Sequence, residues 1–96
     1  MTREQTLSTL RNCKAELQSR FGVRELSLFG STARATNTDN SDVDILVSFE
    51  GPATSKRYFG VLFYLEDLLG CPADLVTDKA LRPELKPYVE RDSIRV

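Results

Sequence analysis

Two aspartates one residue apart, Asp42 and Asp44, open the run DVDILVSF, in which Val43, Ile45, Val47 and Phe49 recur at every second position. That period belongs to a strand, where residues two apart share a face, so the two carboxylates project together, opposite the apolar row. Like unit charges at about 4 Å and an effective dielectric near 20 repel by roughly 4 kcal/mol, against about 5–15 kcal/mol for the stability of a whole domain. Either solvent screens the pair at a strand end, or one carboxyl keeps its proton, or a cation sits between them. A third acid, Asp74, lies in Ala73-Asp74-Leu75-Val76, a core-type run where an acidic residue is poorly suited to burial. If its strand neighbours the first, three hard oxygens meet, a set suited to Mg²⁺ or Mn²⁺ bridging to substrate phosphates.

Gly30-Ser31 ends an earlier apolar run. Such a turn either binds phosphate, with backbone N–H groups and a hydroxyl facing the ligand, or is simple turn chemistry. Arg34 is placed either to contact phosphate or to pair with a surface carboxylate. Lys56 and Arg57 read as an exposed cationic helix end, with a triphosphate or a partner as the alternative.

The elements that must position these residues follow from periodicity and breakers. Leu7, Leu10, Cys13, Leu17 and Phe21 predict an amphipathic helix over 3–21, capped by Gly22. Leu26 and Leu28 alternate with Glu25 and Ser27, which predicts a strand over 24–29 ending in a tight turn at Gly30. Residues 31–41 read as a short helical turn and then a polar loop, and 42–49 as a second strand. Tyr58, Val61, Leu62, Leu65, Leu68 and Leu69 form a helical stripe closed by Gly70, with Thr54 or Ser55 as N-cap. Both helical stripes are chiefly core. A short strand over Ala73–Thr77, an interrupted helix over Leu81–Arg91 and an edge strand over Ser93–Val96 complete an αβ(α)βαβαβ order. The expected fold is α+β (or α/β), a small mixed sheet flanked by helices.

Composition narrows the chemistry. The 96 residues suffice for one core, so a single domain over 1–96 is expected. A net charge of −1 provides no electropositive footprint for polymeric nucleic acid. With no apolar run near the roughly 20 residues that cross a bilayer, no membrane is expected and the cytoplasm is the default location. The absence of histidine removes Ser-His-Asp and Cys-His catalysis and the usual zinc sites, and Cys13 and Cys71 read as small core residues. Any chemistry must run on carboxylates.

Taken together, Leu28-Phe29-Gly30-Ser31-Thr32-Ala33-Arg34 and Ser41-Asp42-Val43-Asp44-Ile45-Leu46-Val47 resemble the nucleotidyltransferase superfamily signature of Gly-Ser, ten residues and Asp-x-Asp; residues 32–41 are ten. The flanking residues are similar to the minimal nucleotidyltransferase branch, which occurs beside HEPN-domain partners. Ala73-Asp74-Leu75-Val76 resembles that branch's third-carboxylate strand, and Leu81-Arg82-Pro83-Glu84-Leu85-Lys86-Pro87 its basic, proline-containing end. The resemblance implies that Asp42, Asp44 and Asp74 hold two divalent ions (Mg²⁺ or Mn²⁺) and act catalytically, while Gly30, Ser31 and Arg34 bind the nucleoside triphosphate. It further implies an antitoxin that transfers AMP from ATP to a hydroxyl, in the first instance a tyrosine, of a HEPN ribonuclease toxin. One departure stands out: Ala35 occupies a position where the family usually has glycine. If that position needs positive φ, alanine costs about 1 kcal/mol or more. The alternative implied is a catalytically weak module that neutralises its partner by occlusion.

Overall fold

The computed structural model describes residues 2–38 and 40–96; Asp39, inside the expected polar loop, lies outside them. Helix α1 (Arg3–Phe21) begins at a capping box, in which the Thr2 hydroxyl accepts from the Gln5 amide while the Gln5 side chain accepts from the Thr2 amide. It stops at Gly22, whose φ of 71° lets its N–H turn back onto the last helical carbonyls. Strand β1 (Val23–Phe29) leads into the one-turn helix α2 (Gly30–Arg34). Strand β2 (Val43–Phe49) follows the polar loop and is succeeded by α3 (Ser55–Leu69), which Thr54 caps. The chain ends with β3 (Ala73–Thr77), α4 (Lys86–Asp92) and β4 (Ile94–Arg95).

The four strands form one sheet in the order β3-β2-β1-β4. β1 runs antiparallel to β2 and β4, and β2 runs parallel to β3, so the sheet is mixed and the architecture α+β, as expected. Leu10 and Leu17 of α1 and Val61 and Leu65 of α3 close over Leu26, Leu28, Ile45, Val47 and Leu75 on one sheet face. A fully buried side chain of this kind stabilises by roughly 1.5–3 kcal/mol. The other face carries Ser27, Asp44, Leu46, Asp74 and Val76, which are half-buried or exposed. Gly60 leaves room for the end of α1, because a Cβ there would overlap the Phe21 ring.

Several expectations need correction. α4 starts at Lys86 rather than Leu81, because turns run through Pro83 and the next proline, Pro87, falls where a first helical turn tolerates it. Leu68, expected in the core stripe, is 46% exposed, while Phe59 and Phe63 stack on the outer side of α3 at 47% and 62% exposure. The stripe is narrower than hydropathy suggested and centres on Val61, Leu65 and Leu69. Arg57 is no free cationic end: its guanidinium donates to the carbonyls of Glu50 (2.6 Å) and Pro52 (2.8 Å) and stacks over Phe49, pinning the β2–α3 loop. Cys13 is buried, whereas Cys71 only packs against the core's edge.

Candidate active site

The start of β2 and the start of β3 lie side by side, with Asp44 directly opposite Asp74 in the parallel ladder. Partners in register face the same way, and Ile45 and Leu75, one residue on, both point into the core. The two aspartates therefore share the open face, on strands about 4.7–4.9 Å apart. Asp42 lies one residue before β2 and is exposed. The turn before it is held by the Ser41 hydroxyl, which accepts from the Thr38 amide at 3.0 Å.

Gly30 meets this group from the other side. Its φ is 74°, and an added Cβ would overlap the Asp44 carboxylate, so only glycine allows the backbone to come so close. Gly30 also opens α2, which no side chain caps, and the half-buried Ser31 follows at once. Backbone and hydroxyl groups suited to phosphate oxygens thus stand beside the carboxylates. Ala35 ends α2 at φ 60° and is the one non-glycine residue with positive φ among those described. The conformation that would make glycine the natural residue is therefore present. Arg34 pairs with Asp92 of α4 at 3.0 Å, and its charge still reaches Asp44.

Electrostatics register the crowding. Burial, then Asp74, then Asp42 raise the Asp44 carboxyl above its ordinary range, and Arg34 opposes them. Among the described residues no three His, Cys, Asp or Glu side chains converge as a ready-made cation cage, so the three acids neighbour one another without closing on a common point. The donor set still fits Mg²⁺ or Mn²⁺, hard ions that take one or two carboxylates and complete their shell with water and substrate phosphate.

A hollow of about 470 Å³ lies farther along β3 between Tyr58, Phe59, Val76 and Ala80. A smaller one, about 240 Å³, sits behind the loop between Thr32, Val43 and Leu69. Open geometry outweighs cavity size here, because the titratable groups lie on the sheet surface. Two residues of the site were hidden in sequence. Tyr58, expected only as core, donates its hydroxyl to the Leu75 carbonyl, and Glu66 accepts from the Ala73 amide. Each touches backbone beside Asp74, a contact that leaves no spacing to read.

A family model described as the nucleotidyltransferase domain matches residues 10–96. The protein adenylyltransferase MntA of Thermococcus cleftensis is 41% identical over 96 residues, covering 100% of this chain and 97% of that protein. A solved structure assigned as a minimal nucleotidyltransferase superposes with a TM-score of 0.84 at 35% identity, over 100% of this chain and 97% of its own. A more distant likeness, in fold alone, is to a complex of tri-AMPylated Shewanella oneidensis HEPN toxin with MNT antitoxin, at 18% identity and a TM-score of 0.61 over 97% of this chain and 66% of that one.

Proposed function

The chain belongs to the nucleotidyltransferase domain family, and from that premise we propose that residues 1–96 act as one minimal domain that transfers AMP from ATP to a hydroxyl of a HEPN-type toxin and so neutralises it. Tyrosine is the acceptor side chain of choice, and the cytoplasm the place of action. The observation that carries the reading is the meeting of Gly30 with Asp44 beside Asp74, which sets a phosphate-type turn against paired carboxylates. The names of the relatives agree with it: one is a protein adenylyltransferase and another an MNT antitoxin bound to an AMPylated HEPN toxin. Among the described residues no helix is long and apolar enough to cross a membrane.

In the proposed reaction the acceptor oxygen bonds to the α-phosphorus, the α–β phosphoanhydride bond breaks, and pyrophosphate departs in line. Gly30 and Ser31 hold the departing phosphates through backbone N–H groups and the Ser31 hydroxyl, with Arg34 adding charge. Asp74 takes the proton of the attacking hydroxyl onto a carboxylate oxygen. Asp42 and Asp44, with Asp74, are the residues that would hold two Mg²⁺ or Mn²⁺ ions. When bound, such ions supply charge stabilisation to the entering and leaving oxygens.

The deciding experiment incubates the protein with α-labelled ATP, Mg²⁺ and a HEPN partner. Label should move to the partner with the wild type and not with Asp42→Ala/Asp44→Ala; equal labelling would refute catalysis by these carboxylates, and none from the wild type would refute transfer altogether. A second reading, neutralisation by occlusion with weak or no catalysis, is favoured by Ala35, whose positive φ strains the end of the phosphate turn. Under that reading the double variant still silences the toxin.

A further inference from the structure

We propose that Tyr58 and Glu66 are positioning residues that clamp Asp74 from both sides through the backbone of its strand. β3 is an edge strand, held on one side by β2 alone. Its other side normally offers N–H and C=O groups to water, and such an edge can fray or slip. Here one outward group on each neighbour of Asp74 is taken by α3. The Ala73 N–H donates to Glu66 Oε2 at 3.0 Å, and the Tyr58 hydroxyl donates to the Leu75 carbonyl at 2.5 Å. α3 is itself anchored by Val61, Leu65 and Leu69 in the core, so rigid structure reaches both neighbours of an exposed carboxylate.

Burial and the Asp74 charge both keep the proton on the Tyr58 hydroxyl, so it remains a donor at neutral pH. The bland alternative is that the two hydrogen bonds merely blunt a sheet edge against aggregation. That role would leave metal affinity and turnover untouched. The clamp, by contrast, governs where the Asp74 oxygens stand relative to those of Asp44, and it rests on the proposed catalytic reading of Asp74.

The test uses the full chain with Tyr58→Phe, Glu66→Ala and Glu66→Gln, and Asp74→Asn as reference. Mn²⁺ affinity is read by electron paramagnetic resonance with a non-hydrolysable ATP analogue, alongside kcat and KM for AMP transfer. Tyr58→Phe and Glu66→Ala should each weaken Mn²⁺ binding and lower kcat by about tenfold, with the KM for ATP within about twofold of wild type. Glu66→Gln keeps an oxygen that accepts from the Ala73 amide and should restore both values. If Tyr58→Phe does not fold, the Glu66→Ala and Glu66→Gln pair decides alone. Wild-type Mn²⁺ affinity and kcat in the clamp variants, with Asp74→Asn deficient in both, overturns the clamp and spares the catalytic reading. An Asp74→Asn protein equal to wild type overturns both.

Discussion

Asp44 is held where ionisation is unfavourable, by burial first and then by the charges of Asp74 and Asp42. Because its folded pKa lies above the ordinary value of 3.8, the native state binds the proton more tightly than the unfolded chain does. Stability from this group is therefore greatest below that ordinary value, falls as pH rises toward the raised folded pKa, and stays low above it. Asp44→Asn should remove this dependence and, in EDTA at neutral pH, gain about 0.5–1 kcal/mol, a rise of about 2–4 °C in the melting midpoint, while abolishing transfer. Melts of the two proteins in mild acid and at neutral pH check it; a variant less stable than wild type at neutral pH would contradict it. At Ala35 the left-handed conformation costs alanine about 1–2 kcal/mol, and glycine's extra unfolded-state entropy takes back about 0.4–1 kcal/mol. Ala35→Gly is thus expected to stabilise by about 0.5–1 kcal/mol in urea denaturation. Asp42, Asp44 and Gly30 stand out in the sequence through motif spacing, and Asp74 as an acid in a core-type run. What spacing could not encode was that Asp44 and Asp74 stand opposite each other, which depends on the pairing of two strands far apart in sequence.

Elements were legible where one signal dominated. The α1 stripe ended at Gly22, and β3 fell at Ala73–Thr77 between turn residues, both as read from sequence. The start of α4 was not, because proline rules locate a break without saying on which side helix resumes. Nor was the role of Arg57, since a side chain folding back on its own loop looks in sequence like any surface cation. α2 and α4 are joined by the exposed Arg34–Asp92 pair at 3.0 Å, a contact worth about 0–1 kcal/mol. Asp92→Ala should therefore cost less than about 1 kcal/mol and release Arg34 without weakening triphosphate binding. Arg34→Ala should weaken that binding by about 1–2 kcal/mol, read by calorimetry with an ATP analogue. Loss of nucleotide affinity in Asp92→Ala would show that the pair, rather than the free guanidinium, is the functional unit.

The molecule as a whole has one sealed sheet face and one open face. Asp44 and Asp74 lie on the open face, half-buried and exposed respectively, and a hollow of about 470 Å³ lies farther along β3. In the proposed reaction the acceptor meets this open face, and a folded partner would supply much of its own positioning. Free tyrosine should accordingly be modified with a kcat/KM at least about 100-fold below that of a folded protein acceptor; comparable values would imply a preformed acceptor pocket. Catalysis as proposed depends on Asp42, Asp44 and Asp74 taking up a cation together with the triphosphate. The most direct measurement is anomalous diffraction from crystals grown with Mn²⁺ and a non-hydrolysable ATP analogue. Manganese should lie at about 2.0–2.2 Å from oxygens of Asp42 and Asp44 and bridge to phosphate beside Gly30. Nucleotide bound with manganese elsewhere, or with none, would contradict the account.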